Sequence, residues 1–131
     1  MSVPTMHESD AAELDLPGRH LTWLVSDKPG TLASRQCSAC VIRVPPGERV
    51  RPAHSHPNGE EVIYIITGSG KVMVDGKVEA VTAGCAVLFP QGKVHMLSNT
   101  GDEEMKVVCF FAPPSELKTY KFHDGIEFPV V

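Results

Sequence analysis

Short apolar segments, each ended by glycine, proline, asparagine or aspartate, recur along most of this chain. No segment shows the sustained periodicity of an amphipathic helix, and only residues 5–16 and 115–117 are expected to form a single helical turn each. The apolar segments predict strands at 21–25, 37–44, 62–67, 71–74, 77–81, 86–89, 95–98 and 105–111. Asp75-Gly76, between two of these strands, favours a type I′ hairpin. Many short strands joined by close turns are typical of an all-β barrel or sandwich.

The chain has 131 residues, which is enough for one domain with its own hydrophobic core. We expect an N-terminal arm over residues 1–20 and a barrel over residues 21–131, with the core of the barrel within residues 38–112. The last part of the chain is rich in large apolar side chains, namely Leu117, Tyr120, Phe122, Ile126 and Phe128. Such a segment should pack across the barrel or against a partner subunit, because exposing it to water is unfavourable.

Charge and composition argue against several classes of function. The net charge is −4, and a nucleic-acid-binding protein needs a clustered basic surface instead. No apolar segment approaches the ~18 residues that a membrane helix requires. Residues 1–15 are polar and acidic, unlike a signal peptide. We therefore expect a cytoplasmic protein without nucleic-acid or membrane partners.

The four cysteines do not form a convincing redox or zinc motif. Cys37 and Cys40 have CxxC spacing, but a zinc knuckle requires a second pair. A thioredoxin-like motif requires a helix after it, whereas residues 41–44 resemble a strand. We interpret the cysteines as small buried apolar residues in a reducing compartment.

Three histidines and one glutamate stand in two segments framed by glycine and proline. His54 and His56 are two residues apart, so both face the same side of a strand. Glu60 and Glu61 begin the next strand after a turn, and alternation along that strand selects Glu61 as the residue that faces the histidines. His95 would come from a distant strand, where a proline-glycine turn directs it toward the same cavity.

Three neutral imidazoles and one carboxylate suit a divalent first-row metal: iron, manganese, nickel, cobalt, copper or zinc. Magnesium and calcium prefer shells made only of oxygen atoms. Four protein ligands on an octahedral ion leave two positions for water, substrate or O2. We therefore predict a divalent transition-metal site whose ligands are His54, His56, Glu61 and His95.

The same two segments resemble the paired motifs of the cupin superfamily of small β-barrels. The second motif (G-x5-P-x-G-x2-H-x3-N) is matched at each fixed position by Gly84, Pro90, Gly92, His95 and Asn99. The first motif (G-x5-H-x-H-x3–4-E-x6-G) is matched by His54, His56, Glu61 and Gly68. Gly47 departs from it, with six residues before His54 instead of five. Cys85 stands where many cupins have aspartate, and we expect it to be a packed thiol.

The resemblance implies a double-stranded β-helix, or jelly-roll, barrel that acts on a small molecule. The first hypothesis is a dioxygenase-type oxidoreductase for a small organic substrate, with Glu61 as both a ligand and a candidate catalytic proton shuttle. One alternative is a non-redox isomerase or lyase for a sugar or sugar acid. Another is a non-catalytic protein that binds or senses a small ligand, because the fold alone does not define the function.

Segments 62–66 and 105–111 are apolar on both faces, which indicates that the outside of the barrel is covered as well. Cupin barrels commonly pair through such faces, so the resemblance implies a homodimer.

Other residues are weaker candidates for the site. Tyr64 should lie outside the barrel and Leu97 inside it, by alternation with their neighbours. Surface charge is the favoured interpretation of the three arginines expected near the barrel mouth, although one could bind a carboxylate: Arg43, Arg49 and Arg51. A catalytic pair formed by His123 and Asp124 is a lesser alternative.

Overall fold

The computed structural model describes residues 3–129, which form twelve strands and two single turns of 3-10 helix. The helical turns are Glu8–Asp10 and Leu117–Thr119. The strands are β1 (Glu13–Leu16), β2 (Arg19–Ser26), β3 (Leu32–Ala33), β4 (Ser38–Val44), β5 (Ala53–Ser55), β6 (Glu60–Thr67), β7 (Ser69–Val74), β8 (Lys77–Thr82), β9 (Ala86–Phe89), β10 (His95–Asn99), β11 (Met105–Ala112) and β12 (Lys121–His123). None of the helices among the described residues is long and apolar enough to cross a membrane.

The strands form two sheets that face each other. The first sheet has the order β1-β2-β4-β11-β6-β9, with β3 parallel to β2, and the second has the order β12-β5-β10-β7-β8. All other pairs within the sheets are antiparallel. The prediction of an all-β jelly-roll barrel is therefore confirmed.

The hydrophobic core lies inside the barrel because successive side chains of a strand face opposite sides of the sheet. On β6 the buried side chains are Glu61, Ile63 and Ile65, and the residues between them are exposed. The interpretation of Tyr64 as an outer residue is confirmed, and so is that of Leu97 as an inner one. The predicted hairpin also forms, since Asp75 and Gly76 both have positive φ angles, of 49° and 81°.

Both ends of the described chain add strands that the apolar pattern did not predict. β1 falls within the segment expected to be an arm, and it pairs along its length with β2. Instead of beginning at residue 21, β2 begins at Arg19, because this pairing extends the strand to the turn at Gly18. At the other end, β12 pairs with β5, so the C-terminal segment packs across the barrel beside His54.

Candidate metal centre

All four predicted ligand residues meet inside the barrel. His54 lies on β5, His56 follows it, and His95 is the residue opposite His54 on β10. Glu61 reaches the same point from β6, in the other sheet. All four side chains are buried, and one ligand atom of each lies within 4.8 Å of the others. The choice of Glu61 over Glu60 agrees with the structure, because Glu60 is exposed.

The Nδ1 atom of each histidine has a partner on the side away from the cluster. Nδ1 of His54 donates to the carbonyl oxygen of Pro52, and Nδ1 of His95 donates to that of Lys93, both at 3.2 Å. Nδ1 of His56 lies 3.4 Å from the hydroxyl of Ser115. These contacts orient the rings so that each Nε2 faces the cluster, as outer partners of metal-binding histidines commonly do.

The nitrogen atoms converge on one carboxylate oxygen. Oε1 of Glu61 lies 2.9 Å from Nε2 of His56 and 3.2 Å from Nε2 of His95. Nε2 of His95 is buried without a well-aligned hydrogen bond to any described residue. A buried polar atom without a partner is costly, at about 1–3 kcal/mol. A cation at the centre would satisfy that atom, and three nitrogens with one oxygen suit a divalent transition metal. The cluster thus fits a cupin divalent-metal site.

The electrostatics of the cluster favour the protonation states that a metal requires. Burial, together with the neighbouring His95, lowers the pKa of His54 to about 3, so the imidazole is neutral near pH 7. Burial by itself would raise the pKa of Glu61, but its close contacts with His56 and His95 outweigh burial and bring this pKa well below its usual range. Metal ligands must be neutral imidazoles and ionised carboxylates, so the site is prepared for a cation.

Aromatic rings pack against the three imidazoles and fix their planes. Phe89 stacks on His95, with the ring centroids 3.9 Å apart and the planes 1° from parallel. Phe111 meets His56 edge to face at 5.1 Å. Both phenylalanines are buried, as expected of core residues. Tyr120, in the C-terminal segment, stacks on His54. The sequence predicted that this segment covers the barrel, but it did not predict a contact between Tyr120 and a metal ligand.

The cavity beside the cluster is small. It has a volume of about 30 Å³, and its walls include Arg19, Leu97 and Tyr120. A space of this size holds one or two water molecules, whereas pockets for drug-sized ligands measure about 300–1,000 Å³. Only a very small molecule could bind there without a movement of the wall.

The predicted barrel-mouth arginines lie outside this cavity. Arg43 pairs with Glu13 and Glu104, and Arg49 makes a bidentate pair with Glu127. The interpretation as surface charge is therefore confirmed for these two arginines. The arginine that lines the cavity is Arg19, which the sequence assigned to the arm. Arg19 and the buried Leu21 are two residues apart on β2, so they face the same side of the sheet. This alternation along the sequence could have identified Arg19 as an inner residue.

His123 does not line the metal cavity. It lies on β12, and its Nε2 is 3.1 Å from the hydroxyl of Ser55. This contact places His123 at the edge of the second sheet, beside β5.

Two of the cysteines face each other in the cavity wall. Cys40 on β4 is opposite Cys109 on β11, and both are buried. The contact with Cys40, together with burial, raises the pKa of the Cys109 thiol. Cys85 is half-buried against the core, as expected of a packed thiol. Cys37 is exposed, so its prediction as a buried residue was wrong, because it precedes β4 instead of lying in it.

Comparisons with known proteins agree with the fold and the site. A model of the Cupin domain matches residues 40–111, which is more than half of the chain. A probable oxalate decarboxylase from Arthroderma benhamiae is 33% identical over 105 residues, which cover 76% of this chain and 26% of that protein. The chain thus spans about a quarter of the length of this curated relative.

Solved structures share the fold at low sequence identity. A predicted oxalate decarboxylase from Thermotoga maritima superposes with a TM-score of 0.73 at 20% identity, covering 83% of this chain and 98% of that chain. Streptomyces Pac13 with uridine, a nucleoside dehydratase, superposes with a TM-score of 0.77 at 13% identity, covering 97% of this chain and 95% of that chain. From the matched domain, the two-sheet barrel and the buried cluster together, this chain belongs to the cupin family.

Proposed function

We propose that this protein is a divalent-metal-dependent enzyme that acts on a small organic acid, with decarboxylation as the favoured reaction. The observation that carries the proposal is the convergence of four buried ligand side chains beside a cavity of about 30 Å³. The small cavity favours a substrate of a few heavy atoms. The likeness to proteins described as oxalate decarboxylases supports a carboxylate substrate.

The chemistry of such a reaction matches the groups in the wall. A bound divalent cation would act as a Lewis acid on a substrate oxygen. Loss of CO2 breaks a carbon–carbon bond and leaves the electron pair on the remaining carbon, which must then take up a proton. With oxalate, the products would be CO2 and formate.

Two residues of the cavity are candidates for transfer of that proton to carbon. Burial raises the pKa of Tyr120 well above its usual range, so its hydroxyl stays protonated near pH 7. Although it is a weak acid, the carbon that loses CO2 is a much stronger base and could take this proton. Glu61 is the second candidate for a proton shuttle as well as a ligand, although its lowered pKa makes the ionised carboxylate a weak base. Both residues line the same cavity.

The dioxygenase hypothesis is the second candidate, because open positions on the metal could also hold O2. A sugar or sugar-acid substrate is less favoured, since it would need a much larger cavity than the one beside the cluster.

The test begins with metal analysis of protein purified without added metal. The loaded protein is then incubated with small mono- and dicarboxylic acids, including oxalate, while CO2, formate and O2 are measured. Release of CO2 without net consumption of O2 is the expected result. Consumption of O2 in proportion to substrate would favour the dioxygenase. Metal binding without any turnover would indicate a ligand-binding or sensor protein and would contradict catalysis.

The outer surface of the first sheet supports a homodimer. Five large apolar side chains are exposed side by side on β6, β9 and β11: Val62, Tyr64, Ile66, Leu88 and Phe110. Phe110, Val62 and Leu88 form one row across the three strands. A continuous apolar surface of this kind usually marks an interface, so we assign it to a second copy of the chain.

A further inference from the structure

Arg19 places an isolated positive charge in the wall of the metal cavity. It begins β2 and is only 5% exposed, and it lines the cavity together with His54, Glu61 and Tyr120. No carboxylate of residues 3–129 forms an ion pair with it, whereas Arg43 and Arg49 both have carboxylate partners. Burial of a charge is unfavourable unless the charge is paired, so a buried guanidinium of this kind is expected to have an anionic partner.

The backbone holds one edge of the guanidinium. Nη1 of Arg19 donates to the carbonyl oxygens of Pro17 and Arg51, both at 3.2 Å. The turn before it is tight: Gly18 has a φ of +79°, and a Cβ there would lie 1.7 Å from the carbonyl oxygen of Arg49. Only glycine allows this close approach, which brings the start of β2 against residues 49–51.

The other edge of the guanidinium remains for a ligand. A guanidinium has five N–H donors, and the contacts with Pro17 and Arg51 use Nη1. Nε and Nη2 form a planar fork that matches the two oxygens of a carboxylate. Arg19 also lines a surface groove with Leu117 and Phe122, so it lies between the cavity and the outside of the barrel.

The net charge of the cavity also favours an anion. With a divalent cation bound, the imidazoles, one carboxylate and one guanidinium would leave an excess of positive charge inside a wall that is otherwise apolar. An anionic ligand would neutralise that excess.

We propose that Arg19 is the residue that selects the substrate, and that its Nε and Nη2 bind the carboxylate of a small organic acid whose other end faces the four-ligand cluster. This inference rests on the proposed function, and it adds the residue that would distinguish an acid from an uncharged analogue. An amide of the same shape lacks the charge and cannot accept two hydrogen bonds from the fork, so it should bind poorly.

The test uses the zinc-loaded full chain labelled with ¹⁵N and titrated with formate, the smallest carboxylate. The Nε–H signal of Arg19 should shift with saturation, and formamide should leave it unmoved. Formate affinity should fall at least about tenfold in Arg19→Gln, with zinc content unchanged. Arg49→Gln is the matched control, because it removes the same charge from an exposed ion pair; it should bind formate like the unmodified chain.

Arg19→Lys covers the case in which Arg19→Gln does not fold. Lysine keeps the charge and loses the fork, so weaker formate binding by a folded, zinc-loaded Arg19→Lys protein supports the proposal. An unmoved Nε–H signal, or unchanged formate affinity in the variants, would overturn it while leaving the proposed function intact. Failure of the unmodified chain to bind zinc or any other divalent metal would instead overturn the proposed function. The Nε–H titration of the metal-free chain would then still decide the role of Arg19.

Discussion

Tyr120 lies flat against His54, with the ring centroids 4.9 Å apart and the planes 5° from parallel. The two residues are far apart in the chain, and the pairing of β12 with β5 brings them together. The tyrosine therefore closes the cavity over one of the ligand side chains. Removal of its ring should affect access to the site more than the fold.

Tyr120→Ala should enlarge the cavity and expose the cluster to solvent. We expect faster removal of bound metal by a chelator, and a loss of about 2 kcal/mol in the free energy of unfolding because the ring is half-buried. Metal release can be followed with a chromogenic chelator, and stability by urea unfolding. Phe122→Ala is the control, since that ring lies two residues away and is 49% exposed. Equal release rates from the two variants would show that Tyr120 does not close the site.

Adjacent glutamates provide a direct test of the metal ligands. Glu61→Gln removes the charge of a buried carboxylate beside His56 and His95, so metal affinity should fall at least about 100-fold. Glu60→Gln removes the same charge from an exposed neighbour and should leave affinity unchanged. Isothermal titration with zinc measures both values. Similar affinities in the two variants would contradict the assignment of Glu61.

The metal-free protein should lose stability in mild acid because of His54. The pKa of His54 is about 3 in the folded protein, against 6.5 for an unperturbed histidine. Below pH 6.5 the unfolded chain therefore binds the proton first, and the free energy of unfolding should fall by about 1–2 kcal/mol between pH 7 and pH 5. Above pH 5 the carboxylate of Glu61 is mostly ionised in both states, so its lowered pKa adds little slope there.

Urea unfolding of chelator-treated protein between pH 7 and pH 5 measures how the free energy of unfolding changes with pH. The same series on His54→Gln separates this residue from other titrating groups. A variant that keeps the full slope would exclude His54 as its source.

The motif asparagine, Asn99, is predicted to act on stability and not on the metal. Its side-chain nitrogen donates to the carbonyl oxygens of Val44 and Glu103 at 2.8 Å each, and its side-chain oxygen accepts from the Gly101 N–H at 2.9 Å. Asn99→Ala breaks three hydrogen bonds of a buried side chain and should cost about 3 kcal/mol in the free energy of unfolding. Metal content at low temperature should not change.

Chemical denaturation and metal analysis of the same samples test both parts of this prediction. The exposed Asn58→Ala serves as the control. Loss of metal from a folded Asn99→Ala protein would give Asn99 a role at the cluster instead.

The apolar outer surface predicts a dimer that one charge can break. Phe110→Lys places an ammonium group in the row that Phe110 forms with Val62 and Leu88, so the protein should become monomeric in light scattering while keeping its fold. Phe122→Lys changes an aromatic of similar exposure outside this surface and should leave the mass unchanged. A monomeric unmodified chain would contradict the interface.

The sequence predicted the inner strands well because each carries its own alternation and its own turn residues. β9 appears with its predicted bounds, and the hairpin at Asp75 and Gly76 has the expected turn. β1, β3 and β12 were missed because they are short or lack a regular apolar pattern, and their strand conformation depends on pairing with neighbours. The apolar pattern of a short segment says little about a strand that forms only because it pairs with another part of the chain.

The sequence by itself determined the barrel and the four ligand-type side chains, because two-residue alternation and the spacing within two short segments are local properties. Tertiary structure alone decided what surrounds them. Arg19 meets the carbonyl oxygen of a residue 32 positions away, and Tyr120 meets His54 only through the pairing of β12 with β5. The chemistry of the cavity depends on such long-range contacts, and these form only when the two sheets close into a barrel.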